Sequence, residues 1–272
     1  MIRRGIGVQS FVSAGVPTDA DAQAFITAAG ITDATQQSAI NTLVTDLKGY
    51  GIWSKMKAIW PFVGGTSSSH KWNLRDPRDL NAAFRLVFSG GWTHSSTGAK
   101  PNGTNGYGDT FLTPATSISQ NSAHLSFYSR TQSIGDGFNI GSVKTNPPFE
   151  GLHIAISFGL NSNQMRTRCN SQNPSTSYTP TDTRGLFSIS RIASSQFKGY
   201  RNNTSVFTAA ETSNSPNNVK IVIGATNTTG GVSDYSTNEC AFASIGDGLT
   251  DTEAANLYTA VQAYQTSLNR NV

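Results

Sequence analysis

His124-Leu125-Ser126-Phe127-Tyr128-Ser129-Arg130 changes character at almost every residue, and Leu152-His153-Ile154-Ala155-Ile156-Ser157-Phe158 does the same. Successive side chains of a strand point to opposite faces. Leu125 and Phe127 therefore share one face, while His124, Ser126 and Tyr128 share the other. In the second stretch Leu152, Ile154, Ile156 and Phe158 form one set against His153, Ala155 and Ser157. Further out, Phe187 and Ile189 stand against Ser188 and Ser190, and Val219, Ile221 and Ile223 against Lys220 and Val222. Clusters of Gly, Asn, Pro and Ser separate these runs, with no crossover helices between them. The pattern predicts a mainly β, antiparallel sandwich and argues against a parallel sheet. Phe197–Arg201 and residues 204–208 flank Asn202-Asn203, which predicts a hairpin, because asparagine tolerates the positive φ of a two-residue turn.

Composition agrees with such a fold. Charged residues are 13 % of the 272-residue chain, about half the share of an average soluble domain. Ser, Thr and Asn together make up about a third. The surface is thus kept in water by hydroxyls and amides rather than by ion pairs. Disorder is not implied, since 14 Phe, 8 Tyr and 4 Trp supply enough apolar area to offset the cost of ordering the backbone. The net charge is only +4, and no basic stripe is interleaved with aromatics, which argues against a nucleic-acid partner. No run of eighteen apolar residues occurs, so no membrane-spanning helix is expected. Cys169 and Cys240 fall in predicted strands and are expected as free buried thiols.

The N-terminal part reads differently. Residues 1–17 resemble a signal peptide only faintly, because Gly5, Gly7, Gln9, Ser10 and Ser13 interrupt the apolar run; an arm is expected. Residues 18–62 follow a helical pattern. Thr18 or Asp19 caps a helix with the face Ala22, Phe25, Ile26, Ala29. Asp33 with Gln36 caps a second, whose face is Ile40, Leu43, Val44, Leu47. A third apolar knot, Trp53, Met56, Ile59, Trp60 and Phe62, follows. Two short helices cannot bury this much apolar surface themselves, so they must pack on the sandwich or on another subunit. Phe25, Ile40, Leu43, Leu47 and Trp53 are the candidates for such an attachment or oligomer contact, and residues 63–272 are assigned to the sandwich. Thr250 and Glu253 cap a closing helix with the stripe Ala254, Leu257, Tyr258, Val261, Tyr264 and Leu268.

Several of these segments resemble a known superfamily. Residues 241–253, which run through Ile245-Gly246 and Leu249-Thr250 into the capped helix, are similar to the end of concanavalin A-like, laminin-G-type jelly rolls. Tyr200-Arg201-Asn202-Asn203-Thr204 resembles their hairpin, with Asn203 where glycine is usual. Residues 220–225, with Gly224, resemble one strand, and Asn105-Gly106-Tyr107-Gly108-Asp109-Thr110 the opening strand. The block from Thr32 to Thr97, with the runs 45–65 and 70–110, resembles virion proteins of tailed bacteriophages, including phages of Bacteroidetes hosts. The resemblance implies a fibre, head-decoration or receptor-contact protein located in the virion and assembled in the host cytoplasm. It would associate with other virion proteins through its N-terminal segment and with itself, most simply as a trimer. The superfamily also hosts lectins and glucanases, so fold does not settle function.

The chemistry narrows the choice. Glycoside cleavage needs two carboxylates facing one sugar, and the Glu-x-Asp-x-Glu pattern of the superfamily's glucanases is absent. The four glutamates are Glu150, Glu211, Glu239 and Glu253, and the last belongs to a capping box. No catalytic residue is assigned and no enzyme is expected. His70, His94, His124 and His153 show no metal-ligand spacing. Calcium is the one cofactor with candidates, Asp109, Asp136, Asp234 and Asp247 in Gly-rich turns. Trp92, Tyr107, Tyr178, Tyr200 and Tyr235 are the candidates for contact with a host surface glycan, since sugars stack on aromatic faces beside Asn and Asp hydrogen bonds. Three functions are therefore in play: a structural virion protein, a carbohydrate-binding lectin module and a polysaccharide-cleaving hydrolase.

Overall fold

A computed structural model describes residues 19–158 and 164–272; the arm expected at residues 1–17 lies outside the described residues. Two sheets face each other. One is ordered Thr204–Ala209, Phe197–Arg201, Gly185–Arg191, Ala123–Ser129, Cys240–Gly246, Gly98–Pro101, Trp92–Ser95. The other is ordered Ser175–Tyr178, Gln164–Ser171, Glu150–Phe158, Ile140–Lys144, Val222–Ile223, Tyr107–Asp109, Val87–Ser89. The strand ladders are antiparallel except where Asn227 and Thr228 run parallel to Ser142 and Val143. The alternation read from the sequence sets the layers. Leu125, Phe127, Leu152, Ile154, Ile156, Phe187 and Ile189 all point into the space between the sheets and are fully buried. The 197–209 hairpin forms as expected, with Asn202 at φ 55°. Cys169 and Cys240 are both free and buried.

A second apolar layer lies outside the first sheet. Helices Ala20–Ala29, Ala34–Gly49 and Asp251–Ser267 pack there on Tyr128, Leu186, Tyr200 and Phe242. Their ends are set by the caps the sequence offers. Asp19 accepts from the Asp21 amide, Asp33 accepts from the Gln36 amide, and Thr250 and Glu253 close a reciprocal box.

The attachment candidates are corrected by this layer. Phe25, Ile40, Leu43 and Leu47 are at most 1 % exposed inside the chain's own core. Trp53 is buried as well, with the Arg75 guanidinium 4.4 Å from its ring centre. The helices meet the sandwich and the closing helix, leaving these side chains no surface to offer a partner. The apolar knot that follows is not helical. Apart from the single turn Trp53–Lys55, it forms the strand Met56–Trp60, paired with Cys240–Gly246. Ala58, Trp60 and Phe62 point between the sheets, whereas Met56, Ile59 and Val63 point under the helices. The sandwich thus begins at Met56 rather than at residue 63.

Arg270 closes the covered side. It is almost wholly buried and donates to the carbonyls of Phe62 (2.7 Å), Pro61 (2.8 Å) and Ala241 (3.0 Å), tying the end of the chain to two strands.

Candidate functional site

The residues chosen from sequence do not converge. Trp92 sits on an edge strand, its indole packed on Phe88 and donating to the Ser89 carbonyl. Tyr107 opens a strand of the opposite sheet, and Tyr178 packs against the inter-sheet core at that sheet's other edge. Tyr235 bonds the Val232 carbonyl at 3.2 Å. Tyr200 is buried under the helix layer and donates to Asp251 at 2.8 Å; it lines a cleft of about 300 Å³ with Ile192, Lys198 and Asp251.

The calcium candidates are each engaged elsewhere. Asp109 pairs with Lys220, and Asp247 with Lys57. Asp136 accepts from the Ser236 hydroxyl and the Thr237 amide, and Asp234 from the Ser233 hydroxyl. Among the described residues no three His, Cys, Asp or Glu gather to hold a metal. The glutamates are also separated. Glu150 faces Lys144 on the second sheet, Glu239 faces Arg130 at the start of a strand of the first, and Glu253 binds Lys55.

The second sheet carries a different set. With Leu152, Ile154 and Ile156 turned inward, His153 and Ala155 face outward, and the ladder places Arg168 beside His153 and Arg166 beside Ala155. A bulge between Ala155 and Phe158 then reverses the next side chain. Phe158, expected inward with Ile154 and Ile156, instead meets Phe138 (ring centres 4.8 Å apart) and the Arg166 guanidinium (5.0 Å). Phe158, Gln164, Arg166, Pro174 and Thr176 line a cleft of about 310 Å³.

Two glycines make room for this surface. A Cβ at Gly141 would lie 2.3 Å from that of His153, and one at Gly151 would lie 2.5 Å from Cδ of Arg168. The Arg168 stem can therefore lie across the sheet, where Nε donates to the Gln172 carbonyl at 3.1 Å.

The electrostatics of this face are only partly compensated, by Glu211. Among the described residues neither Arg166 nor Arg168 forms an ion pair, and Glu150 of the same sheet is taken by Lys144. Burial and the Arg166 charge pull the Arg168 guanidinium down to about 10, against a smaller opposing pull from Glu211. It remains a cation at neutral pH. Nε of Arg166 is buried and has no acceptor among the described residues. His153, fully buried under the Phe138 ring (4.7 Å), has neither ring nitrogen hydrogen-bonded among the described residues. Burial first, and then the Arg168 and Arg166 charges, hold it well below its ordinary value, so it is neutral.

Sequence reasoning missed Arg166, Arg168, Phe158 and Gln164. The alternation in Gln164-Met165-Arg166-Thr167-Arg168 was the available signal, since it sets two cations on one strand face.

In sequence, no family model and no curated protein matches the chain. Solved structures do resemble it. Domain 4 of AbnA, a GH43 extracellular arabinanase from Geobacillus stearothermophilus, in complex with arabinotriose, superposes with a TM-score of 0.51 at 13 % identity, covering 75 % of this chain and 98 % of that domain. A mutant Trypanosoma rangeli sialidase displaying trans-sialidase activity gives 0.51 at 12 % identity, covering 84 % of this chain and 39 % of that one. What is shared is the fold. This chain is a β-sandwich of the architecture found in those two proteins.

Proposed function

We propose that the chain is a lectin-like β-sandwich of a tailed-bacteriophage particle that binds a glycan of the host surface. The observation that carries this reading is the cleft on the second sheet, which sets the Phe158 ring beside the Arg166 guanidinium, the Gln164 amide and the Thr176 hydroxyl. An apolar ring flanked by a few fixed polar groups is the usual equipment for holding a sugar. The architecture shared with an arabinanase domain in complex with arabinotriose supports it further. The virion location rests on the resemblance of residues 32–97 to phage structural proteins.

The role is binding without cleavage. Hydrolysis of a glycosidic bond calls for a pair of carboxylates across the scissile link, and the residues lining the cleft contribute none. The test has two parts. Purified chain on a glycan array is expected to retain a defined subset of glycans at micromolar strength, and incubation with host capsule should release no new reducing ends. Antibodies against the chain should label intact particles. Failure to bind any glycan, or steady release of reducing ends, would overturn the reading.

A further inference from the structure

The structure assigns a sharper preference to this cleft: it selects sugars that carry a carboxylate, with Arg166 as the recognising group and Arg168 reinforcing it. This rests on the glycan-binding reading above.

Four observations lead there. First, Arg166 and Arg168 stand two residues apart on one strand, which places their stems about 7 Å apart on the same face. Two like charges so placed repel, and the depressed Arg168 reflects burial first and that repulsion second. Second, the described residues leave both arginines without an ion-paired carboxylate, in a chain whose ion pairs take up most other surface cations. Third, Nε of Arg166 is desolvated and meets no acceptor among the described residues. An unmet donor is costly to bury, and an anion held beside the guanidinium would offset part of that cost. Fourth, the acid that acts on this pair, Glu211, offsets the Arg168 charge less than the Arg166 charge opposes it. The face is therefore a net cationic surface with one side open to a ligand.

The shape of the ligand group follows from the guanidinium. Its parallel N–H pairs match the two coplanar oxygens of a carboxylate, a fit a point charge cannot give. The Phe158 ring lies against the same guanidinium at 5.0 Å and offers a sugar ring an apolar face next to its acid group. Gln164 and Thr176 supply donors and acceptors for ring hydroxyls. A cleft of about 310 Å³, at the small end of ligand sites, suits a single terminal sugar unit. Two cations and an overall charge of +4 do not make a nucleic-acid track.

The test measures binding to the full chain, by calorimetry, of galacturonate, alginate, hyaluronan and colominic acid fragments. Each is run beside its methyl ester, the same sugar with the charge removed. At least one acid fragment is expected to bind about tenfold or more tightly than its ester, with affinity falling as salt rises. Arg166→Gln should abolish that difference, and Arg168→Gln should reduce it. Arg166→Lys, which keeps charge but not the fork, should retain only part of it, and the melting temperatures of all variants certify folding.

Three outcomes overturn the proposal: esters binding as well as acids, an Arg166→Gln variant with unchanged acid preference, or tighter binding to a mixed-sequence oligonucleotide. Binding confined to neutral glycans and indifferent to both arginines removes this inference while leaving the lectin reading intact. Absence of binding to every glycan, charged or not, removes both.

Discussion

His124 and His153 occupy matching positions on the two sheets, each one residue out of step with the inward-facing row, each fully buried. Their surroundings are opposite. His124 has both ring nitrogens engaged, by the Asp247 carbonyl at 2.6 Å and the Ser244 hydroxyl at 3.1 Å. His153 has neither. The arginines divide the same way. Arg270, under the helices, has two of its three guanidinium nitrogens bonded to backbone carbonyls and only Nε unmet, whereas among the described residues Nε of Arg166 meets no acceptor and its guanidinium forms no ion pair. A polar group that only holds a fold together is met by partners from the same chain, because burying it unmet costs too much. The second sheet concentrates its unmet groups at His153 and Nε of Arg166, where the proposed ligand would be held; the covered side leaves only single atoms unmet, such as Nε of Arg270 and Oε1 of Gln265.

The largest effect expected from this contrast is at Arg270. Arg270→Met keeps much of the volume but strips donors from the carbonyls of Phe62, Pro61 and Ala241. A buried acceptor left bare costs about 1–3 kcal/mol, so the variant should lose about 3 kcal/mol or more in urea unfolding. A loss under about 1 kcal/mol would mean that the covered side tolerates orphaned groups as readily as the open side, and the contrast would fail.

The difference between the two faces was only half legible in the sequence. Alternation at Leu125 and Phe127, at Leu152 to Ile156, and at Phe187 and Ile189 revealed the inter-sheet core, because strand periodicity is local. Capping residues revealed the helices for the same reason, Thr250 with Glu253 most clearly. Met56–Trp60 carries apolar residues on both faces, Ala58 and Trp60 packing between the sheets and Met56 and Ile59 under the helices, so its sequence shows no strand alternation. A strand buried on both faces loses the alternation that identifies it. The cleft was legible least. Phe158 depends on a bulge, which shifts one side chain without a signature in composition. Whether an arginine is free depends on where distant acids lie: Lys144 takes Glu150, and Arg130 takes Glu239. Tyr200, chosen by residue type, is buried under the helix layer and still lines a cleft with Lys198 and Asp251.

An intermediate effect is expected in acid. Burial holds His70 down to about 3 and His124 to about 4, and His153 is also depressed. For a base whose folded value lies below the unfolded one, the unfolded chain takes up the proton first. The stability contribution is therefore complete above the ordinary value of 6.5 and is lost as pH falls from there toward the folded values. Each such histidine steepens the loss by about 1.4 kcal/mol per pH unit at most. His153→Leu removes one proton from this count without breaking a hydrogen bond, so it should flatten the acid limb of a stability profile and leave stability near pH 7.5 no lower. His124→Leu should flatten the limb too, but at a cost at pH 7.5, because Ser244 and the Asp247 carbonyl lose their partner. Equal behaviour of the two variants at pH 7.5 would erase the distinction between the faces.

The smallest effect is expected where the contrast is sharpest. Arg166→Gln breaks no ion pair and removes an orphaned donor, while giving up the contact of its guanidinium with the Phe158 ring at 5.0 Å. That contact is worth about 0.5–1 kcal/mol at an exposed position, comparable to and opposite in sign from the relief of the buried Nε. The two nearly cancel, and relief of the repulsion felt by Arg168 tilts the balance toward stability. The variant should unfold within about 0.5 kcal/mol of the parent chain. In Arg168→Gln the loss of the bond to the Gln172 carbonyl is likewise offset by lower charge repulsion. A side chain whose removal costs the fold so little, half-buried and forming no ion pair among the described residues, fits the binding role proposed for it. Destabilisation by 2 kcal/mol or more at Arg166 would instead make it a structural strut like Arg270, and the open sheet would lose its claim to be the working face.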